Sequence, residues 1–174
     1  MARLQRMRVE LPAVIALGSN LGDRAATIRE AMRELGELPG VAVVAESGLV
    51  ETPALKTDGV DEDAPAYLNA IVLARTSLHP RALLEALHGI EAAHGRVRAE
   101  RWGDRTLDLD IVSLGGYRMD DPKLTVPHPR AHERAFVLAP WLQVEPDAVL
   151  DGERVDALLA ATGQTPARYA EHGT

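Results

Sequence analysis

An α+β fold, with helices packed on a mainly antiparallel sheet, is what this sequence predicts, and three observations predict it. Short apolar or β-branched runs alternate with two stretches of helical periodicity in the order β-α-β-β-α-β. The breaks between them are Pro- and Gly-containing turns, with no low-complexity tract or internal repeat. At 174 residues, 46% hydrophobic and 26% charged, the chain suits one domain with its own core.

Each element has its own signal. Residues 1–12 read as a flexible leader and 13–174 as a single domain. Val14–Leu17 is a first strand that ends at Gly18-Ser19-Asn20. Ala26, Ile28, Met32, Leu35 and Leu38 recur at near-helical spacing, Asp23 is placed to cap that helix, and Pro39-Gly40 ends it. Val41–Val50 reads as one β-branched strand. Glu51 to Pro65 reads as a loop, with Pro53, Gly59, Pro65 and the acids Asp58, Asp61, Glu62 and Asp63. Tyr67–Ala74 is the next strand. His79-Pro80 opens a second helix with Leu83, Leu87 and Ile90 as its buried stripe and Gly95 as its stop. A polar, arginine-rich segment (96–105) leads into a Leu-Asp strand, and Gly115-Gly116 turns the chain. Leu124–Pro127 is extended, and helical regions follow at Arg130–Leu142 and Val155–Ala161. This order fits a ferredoxin-like sandwich, read here with its helices on one face of the sheet.

Composition removes several function classes. The net charge of −7 argues against nucleic acid or an anionic membrane as partner. Without cysteine there is no disulfide, thiolate metal site or cysteine nucleophile. The start MARLQRMR is not followed by an apolar run of signal-peptide type, so the expected location is the cytoplasm. A monomer, or at most a weak homodimer, is expected.

The stretch RWGDRTLDLDI (101–111) raises the chemical question. Leu107, Leu109 and Ile111 alternate as a half-buried strand, which puts Thr106, Asp108 and Asp110 on the other face. Those carboxylates stand ~7 Å apart along the strand. One reading is a solvated face paired with nearby arginines, the commoner origin of a short D-x-D match. The other is a magnesium site, since hard divalent cations take carboxylate oxygens and keep waters and substrate phosphates. Arg96, Arg98, Arg101 and Arg105, against Glu100 and Asp104, give the preceding segment a local charge of +2, and Arg suits phosphate. Trp102 stands among these polar residues, either closing over a ligand or packed on the sheet edge. His128, Arg130, His132 and Arg134 form a second basic cluster, better suited to phosphate than to zinc. Tyr67 with Asn69 could read a flat heterocycle by stacking and hydrogen bonding, and Phe136 is either core or a stacking surface. No phosphate-cradling G-x-x-x-x-G-K-[ST] loop is present; the only lysines are Lys56 and Lys123.

Taken in order, ALGSNLGDR (16–24), ETPAL (51–55), YLNA (67–70), IEAAHGRVRAERWGDRTLDLDI (90–111) and LTVPHPRAHERAFVLAP (124–140) closely resemble the 6-hydroxymethyl-7,8-dihydropterin pyrophosphokinase family of folate biosynthesis. The resemblance spans about residues 13–145. It implies a ferredoxin-like α-β-α sandwich and transfer of the β,γ-pyrophosphoryl group of ATP to the pterin hydroxymethyl oxygen, releasing AMP, with two magnesium ions. By position it implies that Asp108 and Asp110 hold metal and, with Arg96 and Arg105, carry catalysis. Arg98 and Trp102 would close on ATP. Leu84, His88, Glu91, Ile111 and Thr125 would line the nucleotide pocket, and His128 and Arg134 would contact phosphate. Tyr67 and Phe136 would sandwich the pterin, its edge met by Asn69 and by the chain at Thr52, Pro53 and Leu55. Departures are Lys123 and Pro129, where relatives carry an arginine and a tyrosine, His88 in place of an amide, and the acidic segment 56–65. The rivals are a nucleotidyltransferase on a related sandwich, which would release pyrophosphate, and a catalytically silent binding module.

Overall fold

The computed structural model describes residues 9–171 apart from 57, 58, 62, 64 and 96–105, and of 54–56, 60 and 61 the backbone only. Its elements, in chain order, begin with β1 (Leu11–Ser19), α1 (Arg24–Glu37), β2 (Val41–Glu46), β3 (Val50–Thr52), β4 (Ala54–Lys56) and β5 (Gly59–Asp61). There follow β6 (Tyr67–Thr76), α2 (Pro80–Ala93), β7 (Asp108–Leu114), β8 (Met119–Asp120) and β9 (Thr125–Val126). A 3-10 turn (Ala131–Glu133), α3 (Ala135–Val144), β10 (Val149–Leu150), β11 (Glu153–Arg154), α4 (Val155–Thr162) and β12 (Ala167–Arg168) complete it.

The main sheet is antiparallel, with β6 and β1 at its centre and β7 beyond β1. Both β2 and β3 pair with β6, and β12 extends the sheet beyond β3. That spatial order is the ferredoxin-like one expected from the sequence. The helices, however, occupy both faces, which corrects the one-face expectation and agrees with the α-β-α arrangement implied by the resemblance. Alternation along β1 explains it. Ala13, Ile15 and Leu17 pack with Ile28, Leu35, Leu83 and Leu87 of α1 and α2, while Val14 packs with Val137, Leu138 and Trp141 of α3 and Leu158 of α4.

Three local expectations change. The first strand begins at Leu11, inside the expected leader, because Leu11 and Pro12 already pair with Thr76 and Arg75. The single strand Val41–Val50 is broken at Ser47: three residues (47–49) face two (70 and 71) on β6, a bulge. Ser47 closes it by accepting from the Ile71 N–H with its hydroxyl (2.8 Å) and donating its own N–H to the Ile71 carbonyl (2.9 Å). Gln143 of α3 accepts from Gly48 N–H at 2.9 Å and pins the bulge to the second layer. The expected loop 51–65 contains the β4–β5 hairpin, whose three-residue strands are too short to show a period among acids and prolines.

The helix ends follow the sequence. Asp23 accepts from Ala26 N–H (3.1 Å), and His79 caps α2 with Pro80 in its first turn. After α2, Gly95 takes φ +75°, a conformation that favours glycine and ends the helix.

Candidate active site

Three neighbouring strands change character on one face and at one end. On the face covered by α3 and α4, β1 runs Val14, Ala16, Gly18; β6 runs Leu73, Ile71, Asn69, Tyr67; and β7 runs Val112, Asp110, Asp108. Apolar residues lie under the helices, and polar ones lie beyond α3's first turn. The register makes a row across the sheet of Asp108, Gly18, Asn69 and Val50, with Asp110, Ala16 and Ile71 in the next row.

Gly18 is the floor of this row. A Cβ there would lie 2.9 Å from Asn69 Oδ1, so the amide leans over β1 into space that only glycine leaves. Asn69 is buried and donates from Nδ2 to Thr52 Oγ1 at 3.3 Å, and Thr52 in turn pairs with Tyr67. The amide is thereby oriented, with Oδ1 toward the floor.

The segment before α3 supplies the positive wall. Arg134 stands at the N-cap position of α3 and is partly buried; burial pulls its pKa down, opposed by the carboxylates of Asp110 and Asp108. It stays a cation at neutral pH. Its guanidinium lies over the Phe136 ring, 5.6 Å from the centroid. Phe136 is half-buried and packs on the α3 layer, so one ring serves both as core and as an edge of the site. His128 is brought in by its N–H donating to the Val112 carbonyl of β7 (2.8 Å). Burial, then Arg134, pushes the His128 imidazole down to about 4, with Asp108 pulling up and Arg130 adding to the push. The ring is neutral at pH 7, and Nδ1 accepts from Arg130 N–H at 3.1 Å, which leaves its proton on Nε2.

The expected nucleotide-lining residues gather on the other side of β7. Ile111 faces the α1–α2 layer, Leu84 is packed against that layer, and Glu91 and His88 stand on α2, which packs on β7. Glu91 is 1% exposed, and its Oε1 accepts from the Leu109 N–H at 2.8 Å. Thr125 lies on β9, against β7, within 3.4 Å of Asp120 Oδ1. Of the expected acceptor residues, Pro53 is exposed between β3 and β4, and Leu55 pairs with Val60 in the hairpin. Lys123 and Pro129 are exposed. Arg96, Arg98, Trp102 and Arg105 lie outside the described residues. Sequence reasoning assigned no role to Gly18 or Arg24. A glycine ending an apolar strand was the signal for the first, whereas the contacts of the second depend on tertiary neighbours.

Two carboxylates on one face, with a cation and a neutral imidazole beside them, make a poor zinc site. Among the described residues no group of three or more His, Cys, Asp or Glu is placed to hold a metal. The set fits magnesium, which binds through one or two carboxylates and completes its shell with water and phosphate oxygens. No helix of the described residues is long and apolar enough to cross a membrane.

Comparison with known proteins bears on the family and the fold. The sequence pattern of 7,8-dihydro-6-hydroxymethylpterin-pyrophosphokinase matches residues 14–146. The 2-amino-4-hydroxy-6-hydroxymethyldihydropteridine pyrophosphokinase of Methylorubrum extorquens is 44% identical over 148 residues, covering 85% of this chain and 91% of that protein. The enzyme of the same name from Pseudomonas aeruginosa is 43% identical over 148 residues, covering 84% and 89%. Among solved structures, wild-type Plasmodium falciparum HPPK-DHPS with pterin and p-hydroxybenzoate superposes with a TM-score of 0.65 at 16% identity. It is matched over 90% of this chain but only 44% of its own length, a likeness that speaks for the fold. On the extent of the sequence match, the chain belongs to the 7,8-dihydro-6-hydroxymethylpterin pyrophosphokinase family.

Proposed function

We propose that the chain transfers the β,γ-pyrophosphoryl group of ATP to the hydroxymethyl oxygen of 6-hydroxymethyl-7,8-dihydropterin, with Asp108 and Asp110 holding two magnesium ions. The observation that carries this reading is the row Asp108–Gly18–Asn69: an amide suited to a heterocycle's edge and a metal carboxylate separated by a residue with no side chain. That spacing lets an acceptor lie over β1 with its reactive arm toward the carboxylates.

The chain's own residues then act by positioning and by charge. Tyr67 and Phe136 grip the pterin faces, and Asn69, aligned by Thr52, reads its edge. Arg134 supplies a fixed positive charge for the polyphosphate, and its partial burial strengthens that interaction. His128, neutral, donates a hydrogen bond from Nε2 to a phosphate oxygen. Bound magnesium would neutralise charge on the transferring phosphates. The substrate hydroxyl attacks the β-phosphorus, the bond from that phosphorus to the α-phosphate oxygen breaks, AMP leaves, and the hydroxyl proton passes to solvent. Arg96, Arg98, Trp102 and Arg105 belong to this reading as the residues that close on ATP. Leu84, His88, Glu91, Ile111 and Thr125 belong to it as the nucleotide's wall. We place the protein in the cytoplasm as a monomer.

One incubation tests the reading. ATP, magnesium and the reduced hydroxymethylpterin should yield AMP and the pterin diphosphate in equal amounts. Release of pyrophosphate instead would mark a nucleotidyl transfer and overturn it.

A further inference from the structure

Arg24, the first residue of α1, binds three separate segments at once. Its guanidinium donates to the Ala66 carbonyl (2.5 Å), immediately before Tyr67. It pairs with the Glu51 carboxylate (3.1 Å), immediately before Thr52. It also lies over the Tyr169 ring, 5.8 Å from the centroid. Tyr169 follows β12, which extends the sheet by pairing Ala167 with Glu51 and Arg168 with Val50. The Tyr169 N–H donates to the Leu49 carbonyl (3.0 Å), and Glu171 pairs with Arg29 of the same helix at 2.6 Å. This terminal strand lies beyond residue 146, where the family's pattern ends.

The location gives these contacts a consequence. Thr52 and Tyr67 are partners across the β3–β6 ladder, at its last register position, and Pro53 follows. A three-residue strand followed by proline frays unless its end is tied. Arg24 ties both strand ends, and its planar fork can serve a carboxylate and a carbonyl while its face stacks on a ring. Both polar contacts are made by Nη1, whose two N–H groups reach the carbonyl and the carboxylate. The arginine is itself only 21% exposed, so its ion pair is better shielded than a surface pair.

We propose that Arg24, backed by Tyr169 and β12, is a positioning residue for the acceptor site: it holds Thr52 and Tyr67 in register and so sets affinity for the pterin without contacting the nucleotide. This rests on the reading of Tyr67 and Thr52 as acceptor residues. The clamp removes the ordering cost of that wall before the acceptor arrives.

The test is steady-state kinetics on the full chain, varying each substrate in turn, for Arg24→Met, Arg24→Lys, Tyr169→Leu and the double variant Arg24→Met/Tyr169→Leu. Arg24→Met should raise the acceptor KM about tenfold while kcat and the ATP KM stay within about twofold. Arg24→Lys should recover part of that loss. Tyr169→Leu should raise the acceptor KM by about threefold, and the double variant should lose less than the product of the singles, because both act through one clamp. An unchanged acceptor KM in Arg24→Met, or equal weakening of both substrates, would overturn the proposal. If Arg24→Met does not fold, Tyr169→Leu decides by the same criterion. A parent protein that makes no pterin diphosphate would instead overturn the functional reading, so the two failures are distinguishable.

Discussion

At the scale of single residues, Gly18 shows how an omitted side chain makes a site. It sits between Asn69 and Asp108 in one row, and any Cβ would press on Asn69 Oδ1 at 2.9 Å. That atom is the far end of a side chain, so the amide can rotate away, and the cost to folding is small. The cost to recognition is not, because rotation breaks the Asn69–Thr52 bond that aligns the amide. Gly18→Ala should therefore melt within a few degrees of the parent, a stability loss of about 1 kcal/mol. Its affinity for the hydroxymethylpterin should fall about tenfold, the effect of one misplaced polar contact. Calorimetric titration of the pterin and of an ATP analogue checks this, and an unaltered pterin affinity would show that the floor is not needed. The basic residues make a complementary point. Four His/Arg positions two apart looked alike in sequence, but the fold separates them: His128 and Arg134 turn toward the aspartates and are partly buried, while Arg130 and His132 are exposed, Arg130 pairing with Glu133 at 2.7 Å.

At the scale of elements, the strand that carries the proposed metal carboxylates depends on the helix before it. β7 lies beyond β1 in the sheet, so its outward backbone groups need partners that no strand of the main sheet supplies among the described residues. Glu91 of α2 accepts from Leu109 N–H, and the His128 N–H donates to Val112 O. Leu109 lies between the two aspartates, so the Glu91 bond fixes the pitch at which both carboxylates leave the strand. Glu91→Gln keeps an acceptor oxygen of the same reach and should retain activity within a few-fold. Glu91→Leu leaves the N–H buried without a partner, which should lower stability by about 1–3 kcal/mol and raise the magnesium concentration needed for half-maximal rate. Denaturant titration and a magnesium-dependence curve separate these effects, and equal behaviour of the two variants would refute the coupling. The same strand shows what was legible beforehand. Period-two alternation put Asp108 and Asp110 on one face, and helix capping by Asp23 and His79 was readable because both are local rules. The β2–β3 bulge, the β4–β5 hairpin and β12 were not readable. Each rests on pairing with a distant segment over two or three residues, too few for a period, and Glu91 looked like any polar residue of a helix until its strand was in place.

At the scale of the whole molecule, helices pack on both faces of the sheet, and its polar end lies where β1 finishes and β6 and β7 begin. The protein as a whole is acidic, with a net charge of −7, yet the proposed function has it receive a polyphosphate there. The aspartates add to that problem, and Arg134 alone among the well-placed described cations offsets it. Metal and nucleotide should therefore bind as an interdependent pair, each supplying what the other's repulsion costs, and this coupling can be read from global stability. An ATP analogue that resists hydrolysis, held with magnesium at 100 times its Kd, adds about 2.7 kcal/mol to the folded state. For a chain of this size that raises the Tm by roughly 5–10 °C. With excess chelator, the same analogue should give a shift smaller by more than half, since no metal then stands between the carboxylates and the phosphates. Asp110→Asn should keep a ligand-free Tm within about 2 °C of the parent, because the substitution is isosteric and the side chain is only half-buried. It should nevertheless lose most of the magnesium-dependent part of the shift. Differential scanning fluorimetry of the two proteins, with and without chelator, gives all four values. A full shift in chelator would mean that the arginines alone hold the nucleotide, and an unchanged magnesium effect in Asp110→Asn would place the metal away from β7.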